Sequence, residues 1–134
     1  MRTAALVFGA LLAMAMGSAG ACEPPALSGL SRLIDGERHV IGFRTDPETV
    51  RVGEFFAVEY SVCRRDGNPA GETAIDAMMP EHRHGMNFRP ASVPAGPGRY
   101  RAEGLMFHMP GLWRYMFEIR GDGGERLHGD LRLR

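Results

Sequence analysis

Lysine is absent from this chain, and all 16 of its basic residues are arginine. We read that as codon bias in a GC-rich genome, which points to a bacterium. No sign of charge dominates, because 16 acidic residues balance the arginines and the formal net charge is zero. Removal of the leader with Arg2 makes the remainder about −1 by the same count. A chain so balanced offers no basic tract for nucleic acid or for an anionic membrane surface. Also missing is any stretch of 12 or more residues with helical periodicity and no glycine or proline, outside the N-terminal leader. There is no Gly-x-Ser-x-Gly and no glycine-rich phosphate loop after a strand. The few serines beyond the leader (Ser28, Ser31, Ser61, Ser92) have no neighbouring base. These absences argue against an enzyme of the common hydrolase or nucleotide-binding kinds.

Only one run is long and apolar. After Arg2 the chain carries no charge from Thr3 to Cys22, with an apolar heart from Ala4 to Met16. Gly17, Ser18, Ala19, Gly20 and Ala21 follow, and Ala19-Gly20-Ala21 fits the small-x-small pattern cut by signal peptidase. A membrane-spanning helix needs about 20 strongly apolar residues. Residues 1–21 therefore read as a cleaved signal peptide. Residues 22–38 read as a lead-in and 39–134 as one domain. The expected compartment is the periplasm or the exterior.

Cysteine is scarce: Cys22 and Cys63 are the only two. In an oxidising compartment they are a disulfide candidate, and closing that loop would contribute about 4 kcal/mol in the chain-entropy model. Cys22 is also the first residue after the expected cut, so a lipid anchor at Cys22 stays open as the alternative. A lipidated Cys22 would leave Cys63 a lone thiol beside Arg64 and Arg65, whose charges lower a thiol pKa.

What is present is β character in short runs between turn residues. A short element falls around Leu27 to Ile34, and strands are expected at His39 to Thr45, Phe55 to Cys63 and Thr73 to Met79. Pro80 to Gly98 reads as a loop, since its four prolines cannot lie in regular sheet throughout. Strands then follow at Arg99 to Phe107, Leu112 to Arg120 and Leu127 to Leu133. Phe56, Val58, Tyr60 and Val62 share one face by the period of two, as do Trp113, Tyr115, Phe117 and Ile119. Gly121-Asp122-Gly123-Gly124 is a hairpin signal. About seven short strands in a chain of this length predict an all-β, immunoglobulin-like antiparallel β-sandwich.

The chemistry is concentrated. Six of the nine methionines lie between Met78 and Met116, and three of the five histidines (His82, His84, His108) fall in the same window. His39 and His128 stand apart and read as structural. Met78, Met106 and Met116 fall on expected strands and read as core fillers; Met79 can be read either way. The candidate metal ligands are His82, His84, Met86, His108 and Met109. In extended chain His82, His84 and Met86 would project to one side. His108 and Met109 stand just before the Pro110-Gly111 turn. Thioether sulfur is a soft donor suited to Cu(I), and imidazole suits copper in both oxidation states. Glu81 could add a hard ligand or orient a histidine. Zinc would be content with the histidines and Glu81 but gives no reason for the methionines.

The segments Met79-Pro80-Glu81-His82-Arg83-His84-Gly85-Met86 and Phe107-His108-Met109-Pro110-Gly111-Leu112-Trp113 resemble the paired signature of the YtkA-like domain family over about residues 40–134. Arg83 departs from the pattern, where a small residue such as glycine is expected. The resemblance implies a small exported or membrane-tethered β-sandwich. Its expected role is that of a periplasmic carrier or buffer for a copper ion. The alternative is a non-enzymatic interaction module or accessory subunit for a membrane or secreted partner, with no metal.

Overall fold

The computed structural model describes Cys22 and residues 29–134. The signal peptide read at residues 1–21, and the start of the short element at Leu27, lie outside the described residues. The described chain is all strand, turn and loop, arranged as two antiparallel sheets facing each other. In chain order the strands are β1 (Arg32–Asp35), β2 (His39–Asp46), β3 (Phe55–Arg64), β4 (Thr73–Met79), β5 (His84–Gly85), β6 (Ala91–Pro94), β7 (Arg99–Met106), β8 (Gly111–Ile119) and β9 (Glu125–Leu133). One sheet has the order β1-β2-β3-β7-β6 and the other β5-β4-β8-β9.

The all-β sandwich expected from the strand pattern is the fold observed, with nine strands in place of seven. The two additional strands, β5 and β6, both fall in the proline-containing loop. Each forms a sheet edge, where a proline such as Pro94 removes no ladder bond from an inner strand. Both are short, which limits the unpaired edge they expose.

The period-two faces meet as the core. Phe56, Val58, Tyr60 and Val62 of β3 face Trp113, Tyr115, Phe117 and Ile119 of β8, all buried. Aromatic rings dominate the interior: Phe43 lies 5.3 Å from Tyr115 and 5.4 Å from Phe117, and Tyr60 lies 5.3 Å from Phe117. Side chains of this size each contribute about 1.5–3 kcal/mol when fully buried, so the core supplies the main drive to fold. The methionine reading needs correction here. Met79 is the one fully enclosed in the core. Met78 and Met116 are half-buried and lie on the opposite phase of β4 and β8, facing away from the core, and Met106 is half-buried at the end of β7. The sequence gives them helper roles in packing because they sit on strands, but alternation turns them outward.

One end of the sandwich is tied across both sheets. Cys22 and Cys63 form a disulfide with Cα atoms 5.2 Å apart, and no cysteine among the described residues is free. At the same end the Glu125 carboxylate, at the start of β9, reaches over to the β1–β2 turn. It accepts hydrogen bonds from the backbone N–H of Glu37 (2.7 Å), Arg38 (3.2 Å) and His39 (3.0 Å), and from His39 Nδ1 at 3.0 Å. Burial pushes the Glu125 carboxyl up, but these donors outweigh it and hold the group below its ordinary range. His39 is buried and serves structure, as expected. Gly36 leaves room beside the clamp: a Cβ there would lie 2.5 Å from Glu125 Oε1 and from a Leu127 methyl, so the clamp would have to shift.

Candidate metal site at the open end of the sandwich

The candidate residues gather at the end away from that clamp. β4 ends at Met79, whose carbonyl accepts from the N–H of His82 (3.2 Å) and of Arg83 (2.8 Å). The chain thus reverses through residues 80–83 and returns as β5, with His84 opposite Met79 and Gly85 opposite Met78. His82 is therefore in the turn and not in extended chain, and the expected strand alternation of His82, His84 and Met86 does not hold. Arg83 closes the reversal at φ 57°, the one non-glycine residue at positive φ among the described residues. That left-handed position favours glycine, a backbone reason for the small residue expected there.

The second segment enters from the β7–β8 connection. Phe107 is fully buried and stacks on Trp113, ring centroids 4.4 Å apart and planes within 8°. His108 and Met109 follow, both half-buried. Trp113 Nε1 donates to the Met109 carbonyl at 3.0 Å and so fixes the turn. Gly111 begins β8 at φ 129°, and a Cβ on it would lie 2.6 Å from the Met79 methyl. Met79 and Trp113 thus form a tight floor beneath the turn.

On that floor the imidazoles line up. His84 lies 5.2 Å from His108 and 5.7 Å from His82, measured between ring centroids. Trp113 meets the two inner rings edge to face, with centroids 5.3 Å from His108 and 6.0 Å from His84. Since a metal–nitrogen bond is about 2 Å, two rings on one ion have centroids no more than about 6 Å apart. The His84–His108 and His82–His84 pairs both satisfy that limit. His84 Nδ1 lies 3.1 Å from the Gly85 carbonyl; a carbonyl only accepts, so Nδ1 is the donor and Nε2 keeps its lone pair in the neutral ring. His108 Nδ1 is buried with no hydrogen-bond partner, a condition that costs about 1–3 kcal/mol unless something binds it.

Met86 and Met109 both pack against the core cluster from half-buried positions. Glu81 is exposed and lies 3.4 Å from Arg132 of β9. Among the described residues no three His, Cys, Asp or Glu side chains are arranged to hold a metal ion. The donors that come together are the imidazoles of His82, His84 and His108, while Met86 and Met109 lie half-buried in the same two segments. Trp113, four residues beyond Met109, gains a role that the sequence signature alone does not explain, through its bond to the Met109 carbonyl. No family model, no curated protein and no solved structure matches the chain.

Proposed function

We propose that the chain is an exported, periplasmic soft-metal carrier or buffer of the YtkA-like kind, with copper as its ion. The observation that carries the reading is the His84–His108 pair, 5.2 Å apart, with the orphaned His108 Nδ1 beside it. A buried nitrogen without a partner is rare in folded proteins and calls for an explanation, which a bound ion would supply. Imidazoles supplemented by the thioethers of Met86 or Met109 match the preference of Cu(I). His82 sits exposed in the turn next to His84 and suits a first capture ligand. The copper ion would supply no chemistry of its own here; the protein binds and releases it.

Because a sulfur in a disulfide cannot also carry a lipid, the Cys22–Cys63 bridge favours a free carrier over a tethered one. Intact mass decides this: a loss of two hydrogen atoms marks the bridge, and a large gain marks the lipid. In a Cu(I) competition titration the protein is expected to hold one tight equivalent. His84→Ala combined with His108→Ala is expected to abolish it. A wild-type protein that leaves the competitor fully loaded overturns the reading.

A second reading has its own observation. Phe55 and Phe88 are 56% and 43% exposed and meet edge to face at 4.9 Å. An exposed aromatic pair of this kind suits an interaction module that docks a protein partner. Metal-free binding to a membrane or secreted partner that is lost on Phe55→Ala, with no copper bound by the wild type, would favour it.

A further inference from the structure

A groove of about 700 Å³ lies away from the imidazole cluster. It runs over the outer face of the β5-β4-β8-β9 sheet. We propose that this groove carries a second, weaker site for a soft monovalent cation, Cu(I) or Ag(I), built from Met78, Met116, His128 and Asp76.

The ladder places these four together. Met116 of β8 stands directly opposite Asp76 of β4 and directly opposite His128 of β9. Residues so paired have Cβ atoms about 4.5–5.5 Å apart on one face of the sheet. Met78 is one step along β4 on that same face, diagonal to Met116, and all four residues line the groove. Opposite Met78 across the β4–β5 pair is Gly85, which has no side chain to close the groove at that point. Two thioethers and an imidazole form a soft donor set, and such ligation depends less on net charge than carboxylate coordination does.

The charges in the groove set the expected strength. Arg114 is held by Asp130 through two hydrogen bonds of 2.7 and 2.9 Å. Arg120 lies 3.7 Å from Glu72 and 3.6 Å from Glu118, and Arg126 lies 3.4 Å from Glu118. These cations are matched locally. The Asp76 carboxylate accepts the N–H of Ala77, at 2.8 Å, and among the described residues it forms no ion pair. Arg89, which also lines the groove, has no ion pair among the described residues, and its charge opposes a bound cation. The site is therefore expected to fill after the imidazole cluster. It stands on different residues and does not depend on that cluster being a metal site.

The test follows the methionine methyl signals by NMR while Ag(I), which needs no reductant, is added to the protein with its disulfide intact. The Met78 and Met116 signals are expected to shift with a later equivalent than any that moves Met86 and Met109. In His84→Ala/His108→Ala they are expected to shift unchanged. Met116→Leu combined with His128→Ala is expected to weaken this later binding at least tenfold; Leu keeps the volume of an outward-facing side chain, so folding is retained, and unchanged Met86 and Met109 signals check it. Met78 and Met116 signals that stay fixed through several equivalents overturn the proposal, as does later binding that survives the double variant. Movement of Met78 and Met116 with none at Met86 and Met109 sustains this site while overturning the first.

Discussion

The two ends of the sandwich are built on opposite principles. At the clamp end a covalent bridge joins Cys22 to Cys63, and the Glu125 carboxylate satisfies three backbone donors and His39 at once. At the open end an imidazole nitrogen is buried without a partner, an arginine occupies a left-handed position, and two phenylalanines face solvent. Polar groups left unsatisfied and backbone held in sparsely populated regions cost stability, and both tend to collect where a protein acts.

The sharpest way to break the comparison is reduction of the disulfide. With a sequence separation of 41 residues, loss of the bridge is expected to cost about 4 kcal/mol. It should lower the urea midpoint while leaving Cu(I) affinity at the far end unchanged at temperatures where the protein remains folded. Equal loss of both would mean that the ends are one cooperative unit.

Glu125→Gln comes next, at about 2–3 kcal/mol, the scale of hydrogen bonds to a charged group. Its pH dependence has a definite sign. The Glu125 carboxyl titrates lower in the folded state than its ordinary value, so its contribution is complete above about pH 5 and is lost as pH falls through the folded value. Denaturant midpoints measured from pH 7 down to 3 should therefore fall more steeply in wild type than in Glu125→Gln.

At the open end the expected effects on stability are smaller and differ in direction. Arg83→Gly should raise stability by about 1 kcal/mol, because glycine adopts φ 57° without the strain an arginine meets there. Thermal unfolding reads this gain directly. His84→Ala/His108→Ala should change stability least, by less than about 1 kcal/mol, since the lost packing is partly offset by removal of an unpartnered buried nitrogen. The same variant is the one expected to abolish copper binding. A large loss of stability in it would assign the histidines to the core.

Much of the fold is legible in the residues because a sheet has a period of two and its ends are marked by turn formers. Thr73 to Met79 alternates cleanly, Phe55 to Cys63 is buried on both faces along much of its length, and both observed strands start and stop within a residue of the expected ones. β5 and β6 are not legible, because two- and four-residue strands carry no periodicity and prolines obscure them. His82 shows the limit at the site. A strand-like spacing in sequence becomes a turn once Pro80 and the Met79 carbonyl redirect the chain, and the His82–His84 proximity arises from the reversal.

The methionines mark the same boundary. Their clustering with histidine is a property of the sequence, and so is the soft chemistry that it suggests. Which of them face the core is a matter of strand phase: Met79 is enclosed while Met78, the residue before it, opens onto the outer groove. Composition and spacing by themselves determined the all-β class, most strand boundaries and the two segments that hold the His84–His108 pair. Only the tertiary structure decided that β4 and β8 would lie side by side, bringing those segments to one end and Met116 beside Asp76 and His128. The physical reason is that strand pairing between distant segments is selected by burial of both inner faces together, and no local pattern encodes that choice.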